Sequence, residues 1–312
     1  MQGFNTLIPS DHDRWFDSRP SLRWTAAYRT YDRLALRLTA RHPQAGFRAL
    51  TLLGHLANRC ALHGPSPGEL ADLYGPLPRR LLARVARDVA ALRLKNRAAN
   101  AIFRRAGIEH LARLVRSPGA VRLEEIYAGK RPALLIAWHV GPLLGVSAAL
   151  HRAKVPALIL RNLPLNSAAA RSRTLKQAVD HLRGGGLVLA VPDGPGGANT
   201  DHVECLGRRV VLRRGPFMLA RVTGAPIIPI VTAWEPDGSI SVRVDPPLDR
   251  RSSPEDAAAS FDHELAGLAA RWLEAYLRAE PQEIWLWTLR NFLEAPRVGS
   301  DSHPRPSLDF TE

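Results

Sequence analysis

The chain has 312 residues, of which 46% are hydrophobic, the composition of a packed globular protein rather than of a disordered one. Its two cysteines, Cys60 and Cys205, are too few and too distant for a disulfide framework, which fits a reducing compartment. A net charge of +14 favours an anionic partner. This partner could be a nucleic acid, an anionic membrane surface or a phosphorylated substrate.

Arginine supplies almost all of the positive charge, since Lys95, Lys130, Lys154 and Lys176 are the only lysines. Arginine is the better bidentate ligand for phosphate. The same bias also follows from GC-rich coding, so the charge alone does not select a partner.

The first part of the chain, residues 1–117, is predicted to be a helical extension. It opens with an irregular leader that lacks the basic start and apolar run of a secretory signal. Apolar residues then recur at three- and four-residue spacing over residues 22–61 and again from Arg79 to Val115. In the second stretch the arginines lie off the apolar face. A solvated helix packed on the core is favoured there, and a membrane surface or a nucleic-acid backbone are the alternatives.

After Pro118 the pattern changes to short apolar segments between helical stretches. This alternation predicts an α/β domain over residues 118–296, with a mixed, mainly parallel sheet flanked by helices, and a loose tail over residues 297–312. Pro229 lies inside one of the strands and favours an edge or irregular position for it. The predicted strands are Ala133–Trp138, Pro156–Leu160, Leu187–Val191, Val210–Leu212, Ile227–Val231 and Ile240–Val244, and the predicted helices are Ser167–Arg183, Phe217–Val222 and Ala257–Ala279.

His139 stands where the apolar segment from Ala133 breaks into the turn Gly141-Pro142. Open α/β folds bind their ligands at the carboxyl ends of parallel strands, so a histidine delivered there is a candidate general base. A single histidine at a strand end is often only a hydrogen-bonded core residue, and the neighbouring segments therefore decide between the two interpretations.

A second predicted strand runs into the turn Pro192-Asp193-Gly194-Pro195-Gly196-Gly197. Asp193 is either a turn former or a carboxylate that fixes the imidazole tautomer needed for proton abstraction. Gly194, Gly196 and Gly197 allow close backbone approach and offer N–H groups to an oxyanion or a phosphate. The spacing is not that of a nucleotide-binding P-loop.

Four segments in order carry a resemblance to a known family: Trp138-His139, Pro192-Asp193-Gly194-Pro195, Thr223-Gly-Ala-Pro-Ile-Ile-Pro229, and Glu280-Pro-Gln-Glu-Ile-Trp-Leu-Trp287 followed by Arg290. They resemble the lysophospholipid acyltransferase superfamily, in particular its bacterial branch that acylates lipid A precursors and related glycolipids. The resemblance extends from about Arg84 and is strongest between Ala133 and Trp234. It implies an O-acyltransferase that moves a fatty acyl group from acyl carrier protein or coenzyme A to a hydroxyl of a glycolipid or lysophospholipid. The acyl thioester is then a cosubstrate, and no bound cofactor is implied.

The chain departs from this family at Leu144. The family places an Asp or Glu five residues after the histidine, where it orients the imidazole, and here that position is leucine. A leucine cannot accept the imidazole N–H. Asp193 is therefore the first candidate for the missing acid, and the alternative is a non-catalytic relative that binds lipid or acyl chains.

Arginines near the predicted strand ends are candidates for anionic groups of the substrates. The resemblance implies that Arg161, after the second strand, holds the acceptor. Arg208, Arg209, Arg213 and Arg214 bracket the strand Val210–Leu212, where a basic rim suits the phosphates of the acyl carrier or of a lipid head group.

Other functions find less support in the sequence. The histidines lack paired ligand spacing, no Gly-x-Ser-x-Gly elbow is present, and no nucleic-acid recognition motif accompanies the charge, so neither a metal nor nucleic acid is expected. No segment approaches the roughly 18 apolar residues of a spanning helix. With the resemblance, this predicts peripheral attachment to anionic lipid on the cytoplasmic side of the inner membrane. The predicted contacts are the arginine-rich helices between Arg79 and Arg116 and the aromatic segment around Trp285 and Trp287.

Overall fold

A computed structural model describes residues 33–34, 37–39, 42, 44–50, 52, 64–160, 168–193, 199–249 and 258–298. Residues 44–50 are helical, and most of the two helices predicted over residues 22–61 lies outside the described residues, as do the leader and most of the tail. The helices that follow are α1 (Pro67–Tyr74), α2 (Arg79–Ala106), α3 (Ile108–Ala112), α4 (Ser117–Ala128), α5 (Leu144–Arg152), α6 (Ala168–Arg183), α7 (Gly215–Thr223), α8 (Ala258–Ala279) and α9 (Leu286–Glu294), with a 3-10 turn at Pro281–Glu283. The strands are β1 (Ala133–Ile136), β2 (Ala157–Ile159), β3 (Leu187–Ala190), β4 (Thr200–Cys205), β5 (Arg208–Arg213), β6 (Ile227–Trp234) and β7 (Ile240–Val244).

Five of the strands form one sheet in the order β2-β3-β1-β6-β7. The first four strands pair in parallel, and β7 pairs antiparallel to β6. Helices lie between successive parallel strands, because parallel strands need crossover connections. The fold is therefore α/β with a mixed, mainly parallel sheet and helices ahead of it, which confirms the predicted fold class.

Pro229 favoured an edge or irregular position for its strand, and the edge position is wrong, because β6 lies between β1 and β7. Pro229 is the last residue of β6 that pairs with β1, and the pairing with β7 begins at the next residue, Ile230. Its missing N–H thus falls where one ladder ends and the other starts. Its carbonyl still accepts the N–H of Asp245 at 3.0 Å. An interior strand tolerates proline at such a junction.

Strands β4 and β5 form a separate antiparallel hairpin, of which only the second strand was predicted from the sequence. The two residues between them, Leu206 and Gly207, have φ angles of 53° and 67°. Two consecutive positive φ angles give the turn whose twist matches that of a hairpin. Burial of the Leu206 side chain, which is 5% exposed, offsets the cost of this conformation.

The sheet separates two apolar cores, and β1 contributes to both. Leu134, Ile136 and Trp138 face one core, whereas Ala133, Leu135 and Ala137 face the other. This alternation follows from the two-residue period of a strand. Every residue of β1 is buried, which accounts for the continuous apolar segment in the sequence.

Candidate active site

The pairing of β1 with β3 determines which residues meet at the carboxyl edge of the sheet. Ile136 at the end of β1 is paired with Ala190 at the end of β3. The chain continues in register for one more residue, since Ala137 donates its N–H to the carbonyl of Ala190 at 2.9 Å. His139 and Asp193 each follow three residues after that pair and therefore leave the sheet side by side.

The Asp193 carboxylate makes two contacts with His139. Its Oδ1 lies 3.0 Å from the imidazole Nδ1, and its Oδ2 accepts the backbone N–H of His139, also at 3.0 Å. The side chains are 14% and 7% exposed, so bulk water screens the pair little. The contact lies within the distance that a histidine and its orienting acid require.

These two hydrogen bonds fix the chemical form of the imidazole. A carboxylate that accepts a backbone N–H through one oxygen accepts the Nδ1–H of histidine through the other, so the hydrogen of the neutral ring resides on Nδ1. Nε2 then carries the lone pair. This is the form that removes a proton from a substrate hydroxyl.

Two tryptophans of the C-terminal segment flank the imidazole. The rings of Trp285 and Trp287 meet His139 edge to face, with centroid distances of 5.1 and 5.2 Å. Trp287 belongs to α9, and Trp285 is the residue just before this helix. The sequence segment that resembles the family's C-terminal motif is thus folded back against the predicted catalytic histidine.

The backbone just after His139 is held by residues for which the sequence predicted no such role. The carbonyl of Gly141 accepts hydrogen bonds from Asn96 Nδ2 at 2.8 Å and from Trp285 Nε1 at 2.6 Å. The carbonyl of His139 accepts one from Thr288 Oγ1 at 3.1 Å. Asn96 had one signal in the sequence, because a polar residue there interrupts the apolar stripe of α2. In the structure its side chain is buried, at 5% exposure.

A buried acid lies on the other side of the same turn. The main-chain carbonyl of Glu283 accepts the N–H of Gly141 at 2.8 Å. The side-chain Oε2 of Glu283 has no hydrogen-bond partner among the described residues. Burial raises the pKa of the Glu283 carboxyl to about 7, although the ammonium of Lys95 acts in the opposite direction. Lys95 also lies 5.6 Å from the ring centroid of Trp234.

The structure separates the four arginines of the predicted basic rim. Arg208 is buried and donates to Asp72 at 2.6 Å and to the carbonyls of Leu293 and Ala295. Arg214 binds both oxygens of Asp201, at 3.0 and 2.5 Å. The guanidinium groups of Arg208 and Arg214 thus connect structural elements of the protein, and their predicted binding of phosphate stays a prediction.

Arg213 and Arg209 are the other two arginines of the predicted basic rim. Arg213 is the last residue of β5, and its N–H donates to the carbonyl of Pro192 at 2.9 Å, next to Asp193. Partial burial lowers the pKa of its guanidinium to about 10, against the effect of the Asp193 carboxylate. Arg209 is exposed on β5.

Some of the predicted binding residues cannot be placed. Arg161 and the glycines Gly194, Gly196 and Gly197 lie outside the described residues. Leu144, which the resemblance implied to replace the family's acid, begins α5 and packs on one of the two apolar cores. The acid next to His139 is thus Asp193, from a neighbouring strand.

Residues 160–294 match the family model of the bacterial lipid A biosynthesis acyltransferases. This segment is similar to that family. The match confirms the resemblance and includes Asp193, Trp285 and Trp287, whereas His139 lies ahead of it. It supports acyltransferase activity in general. Comparison with curated proteins finds no match.

The described part of the chain contains neither a membrane-spanning helix nor a metal-binding cluster. No helix there is both long and apolar enough to cross a membrane. The same residues include no group of three or more His, Cys, Asp and Glu side chains arranged to hold a metal ion.

Proposed function

We propose that the chain is an O-acyltransferase in which His139 and Asp193 act as a catalytic pair. The observation that carries the proposal is the 3.0 Å contact between His139 Nδ1 and Asp193 Oδ1. This contact supplies the acid that Leu144 cannot provide. The similarity of residues 160–294 to the lipid A biosynthesis acyltransferases supports the type of reaction.

In the proposed reaction His139 Nε2 removes the proton from a hydroxyl of the acceptor. The hydroxyl oxygen attacks the carbonyl carbon of an acyl thioester and forms a tetrahedral oxyanion. Collapse of this intermediate breaks the carbon–sulfur bond, and the departing thiolate takes the proton from the imidazolium. Asp193 stays ionised throughout and stabilises the imidazolium, as the acid of a catalytic triad does.

Backbone N–H groups between Gly194 and Gly197 are our candidates for the oxyanion donors. Glycines favour this role because the backbone can approach the substrate closely, and they directly follow Asp193 in the sequence. Removing one such donor costs a factor of about 10²–10³ in turnover in other acyl-transfer enzymes.

The donor and the acceptor are proposed from their chemistry. The donor is a fatty acyl thioester of acyl carrier protein or coenzyme A, and the acceptor is a hydroxyl of a glycolipid or lysophospholipid. Arg213 beside Asp193, exposed Arg209 and Arg161 are the candidates for their phosphates. Guanidinium groups suit this task because they bind phosphate in a bidentate manner.

We further propose that the protein lies on the cytoplasmic face of the inner membrane. The first half of α2 exposes four arginines within nine residues, at positions Arg79, Arg80, Arg84 and Arg87. The opposite face of the same helix is buried in the core. A basic helix face of this kind is attracted to anionic lipid at about 1 kcal/mol per residue.

The direct test is an acyl-transfer assay on the purified full chain. The protein is incubated with a bacterial lipid extract and a radiolabelled fatty acyl thioester of either coenzyme A or acyl carrier protein. Labelled lipid is then separated and counted. We expect label in a lipid product with wild-type protein and background counts with His139→Ala. Binding of the lipid extract without transfer from either donor would instead favour the non-catalytic lipid-binding relative.

A further inference from the structure

The main chain from His139 to Gly141 is held by hydrogen bonds from outside β1. The N–H of His139 is bound by Asp193, and its carbonyl is bound by Thr288 Oγ1 at 3.1 Å. The N–H of Gly141 donates to Glu283, and its carbonyl accepts from Asn96 and Trp285. The main-chain N–H and C=O groups of these two residues are thus bound by donors and acceptors on three different parts of the chain.

We propose that Thr288, Trp285 and Asn96 are positioning residues, which hold the backbone of His139 and Gly141 so that imidazole Nε2 faces the reacting hydroxyl. This inference rests on the proposed acyl transfer. None of the three side chains is assigned a bond to the substrate. Their effect passes through the main chain of the turn.

Thr288 gives this inference its strongest support. It is buried in the first turn of α9, at 3% exposure, and its hydroxyl is directed to the carbonyl of His139 rather than to its own helix. The hydroxyl is a buried polar group with its partner in the residue that performs the chemistry. The segment is also tied there by the N–H of Trp285, which donates to the same carbonyl at 3.4 Å.

Asn96 connects the same turn to the end of β6. Its amide donates to Gly141 and accepts the indole N–H of Trp234 at 3.0 Å, so α2, the turn and β6 share one buried chain of hydrogen bonds. Buried networks of this kind give a single, rigid arrangement when every member has a partner. A small displacement of a catalytic group costs rate because the reacting atoms lose alignment.

The test compares Thr288→Val with Thr288→Ser. Valine has nearly the shape of threonine but no hydroxyl, whereas serine keeps the hydroxyl. We expect Thr288→Val to lower kcat about 10-fold with KM for the thioester within about twofold of wild type, because alignment rather than binding is lost. Thr288→Ser should return kcat towards the wild-type value. Thr223→Val removes another hydroxyl that donates to a carbonyl, that of Leu219 in α7, and should leave kcat unchanged.

A second measurement does not depend on turnover. The Nδ1–H resonance of His139, assigned by its disappearance in His139→Ala, reports the hydrogen bond to Asp193. We expect it to shift or broaden in Thr288→Val and in Trp285→Phe, which keeps an aromatic ring beside the imidazole but removes the indole N–H. Thr288→Ser and Thr223→Val should leave it in place.

The outcomes separate the two proposals. Transfer by the wild type together with unchanged kcat and an unshifted resonance in Thr288→Val would overturn the positioning role alone. Absence of transfer by the wild type with every donor would overturn the proposed function, and the resonance would still decide whether Thr288 orients His139. If Thr288→Val does not fold, the same readouts apply to Trp285→Phe and Thr288→Ser.

Discussion

Ile136 and Ala190 are paired partners at the ends of two parallel strands, and their register places the imidazole of His139 against the carboxylate of Asp193. The acid therefore comes from the adjacent strand instead of from the start of the following helix. That helix begins with Leu144, whose side chain packs on the core. The register of β1 and β3 thus provides the carboxylate that our proposal pairs with His139.

The first prediction concerns Asp193→Asn. The amide has no negative charge to stabilise the imidazolium and no longer enforces hydrogen on Nδ1. We expect turnover to fall by roughly 10²–10⁴, nearly as far as in His139→Ala, because the two side chains act as one unit. The double variant should then be little worse than either single variant, as measured by initial rates of acyl transfer.

Asp180→Asn is the matched control for this prediction, since Asp180 is exposed on α6. Its rate should equal that of the wild type. Additive losses in the double variant would show that Asp193 and His139 act independently.

The sequence predicted the main elements of this site because its strands are buried. Buried parallel strands appear as continuous apolar segments, so Ala133–Ile136 and Leu187–Ala190 could be located and their carboxyl ends inferred. For Asp193, the sequence supported a place beside His139 only as a hypothesis. That place depends on the pairing register, which is a relationship between two segments and has no signal in either alone.

The supporting residues were beyond sequence reasoning for a similar reason. Thr288 follows Trp285 by three residues, but nothing local reveals that its hydroxyl reaches a carbonyl 149 positions away in the sequence. The internal partners of Arg208 were not predicted, because an arginine at a strand start looks the same in the sequence whether it meets solvent or another part of the protein. Pro229 led to a wrong edge prediction because proline is tolerated at two kinds of position. One is an edge strand, and the other is the junction between two ladders, where Pro229 lies.

The second prediction concerns Gly141→Ala. Gly141 has φ of 54°, and a Cβ built there would overlap the carbonyl oxygen of Thr232. We expect the free energy of unfolding to fall by more than the roughly 1–2 kcal/mol that a left-handed residue costs, because the turn must also move away from β6. Urea denaturation provides the measurement. Gly215→Ala is the control, because a Cβ built on Gly215 meets no heavy atom within 4 Å beyond its chain neighbours and its own helix backbone. The φ angle of Gly215 is also not positive. Equal stability of the two variants would contradict the tight approach of the turn to Thr232.

The third prediction concerns membrane attachment through α2. Sodium carbonate or high-salt washing should release the protein from membranes, because salt screens the attraction between basic side chains and anionic lipid. Replacing Arg80 and Arg84 with Gln should weaken binding to vesicles that contain anionic lipid by about 1 kcal/mol per residue. Arg122→Gln, an exposed arginine of α4, provides the comparison. Release by detergent alone would contradict a purely peripheral attachment.

The last prediction is a pH dependence of stability that arises from Glu283. Burial raises the pKa of its carboxyl from the ordinary 4.5 to about 7, and Glu280, Glu235 and Asp88 add to the effect while Lys95 opposes it. Between these two pKa values the folded protein retains a proton that the unfolded chain has released. The free energy of unfolding should therefore fall as the pH rises from about 4.5 to about 7 and stay level with respect to this group above that.

Glu283→Gln removes the titrating group but keeps the main-chain carbonyl that binds Gly141. Over that pH interval the free energy of unfolding of the wild type should fall relative to that of Glu283→Gln, by at most about 3 kcal/mol. Urea denaturation of both proteins at several pH values gives this difference directly. Glu280→Gln, which replaces an exposed neighbour, should leave most of the wild-type slope in place. Suppose instead that the unfolding free energy of Glu283→Gln depended on pH as that of the wild type does. The Glu283 carboxyl would then be ionised already near pH 4.5 in the folded wild type, and the Lys95 ammonium would have to offset the full cost of burying the carboxylate charge.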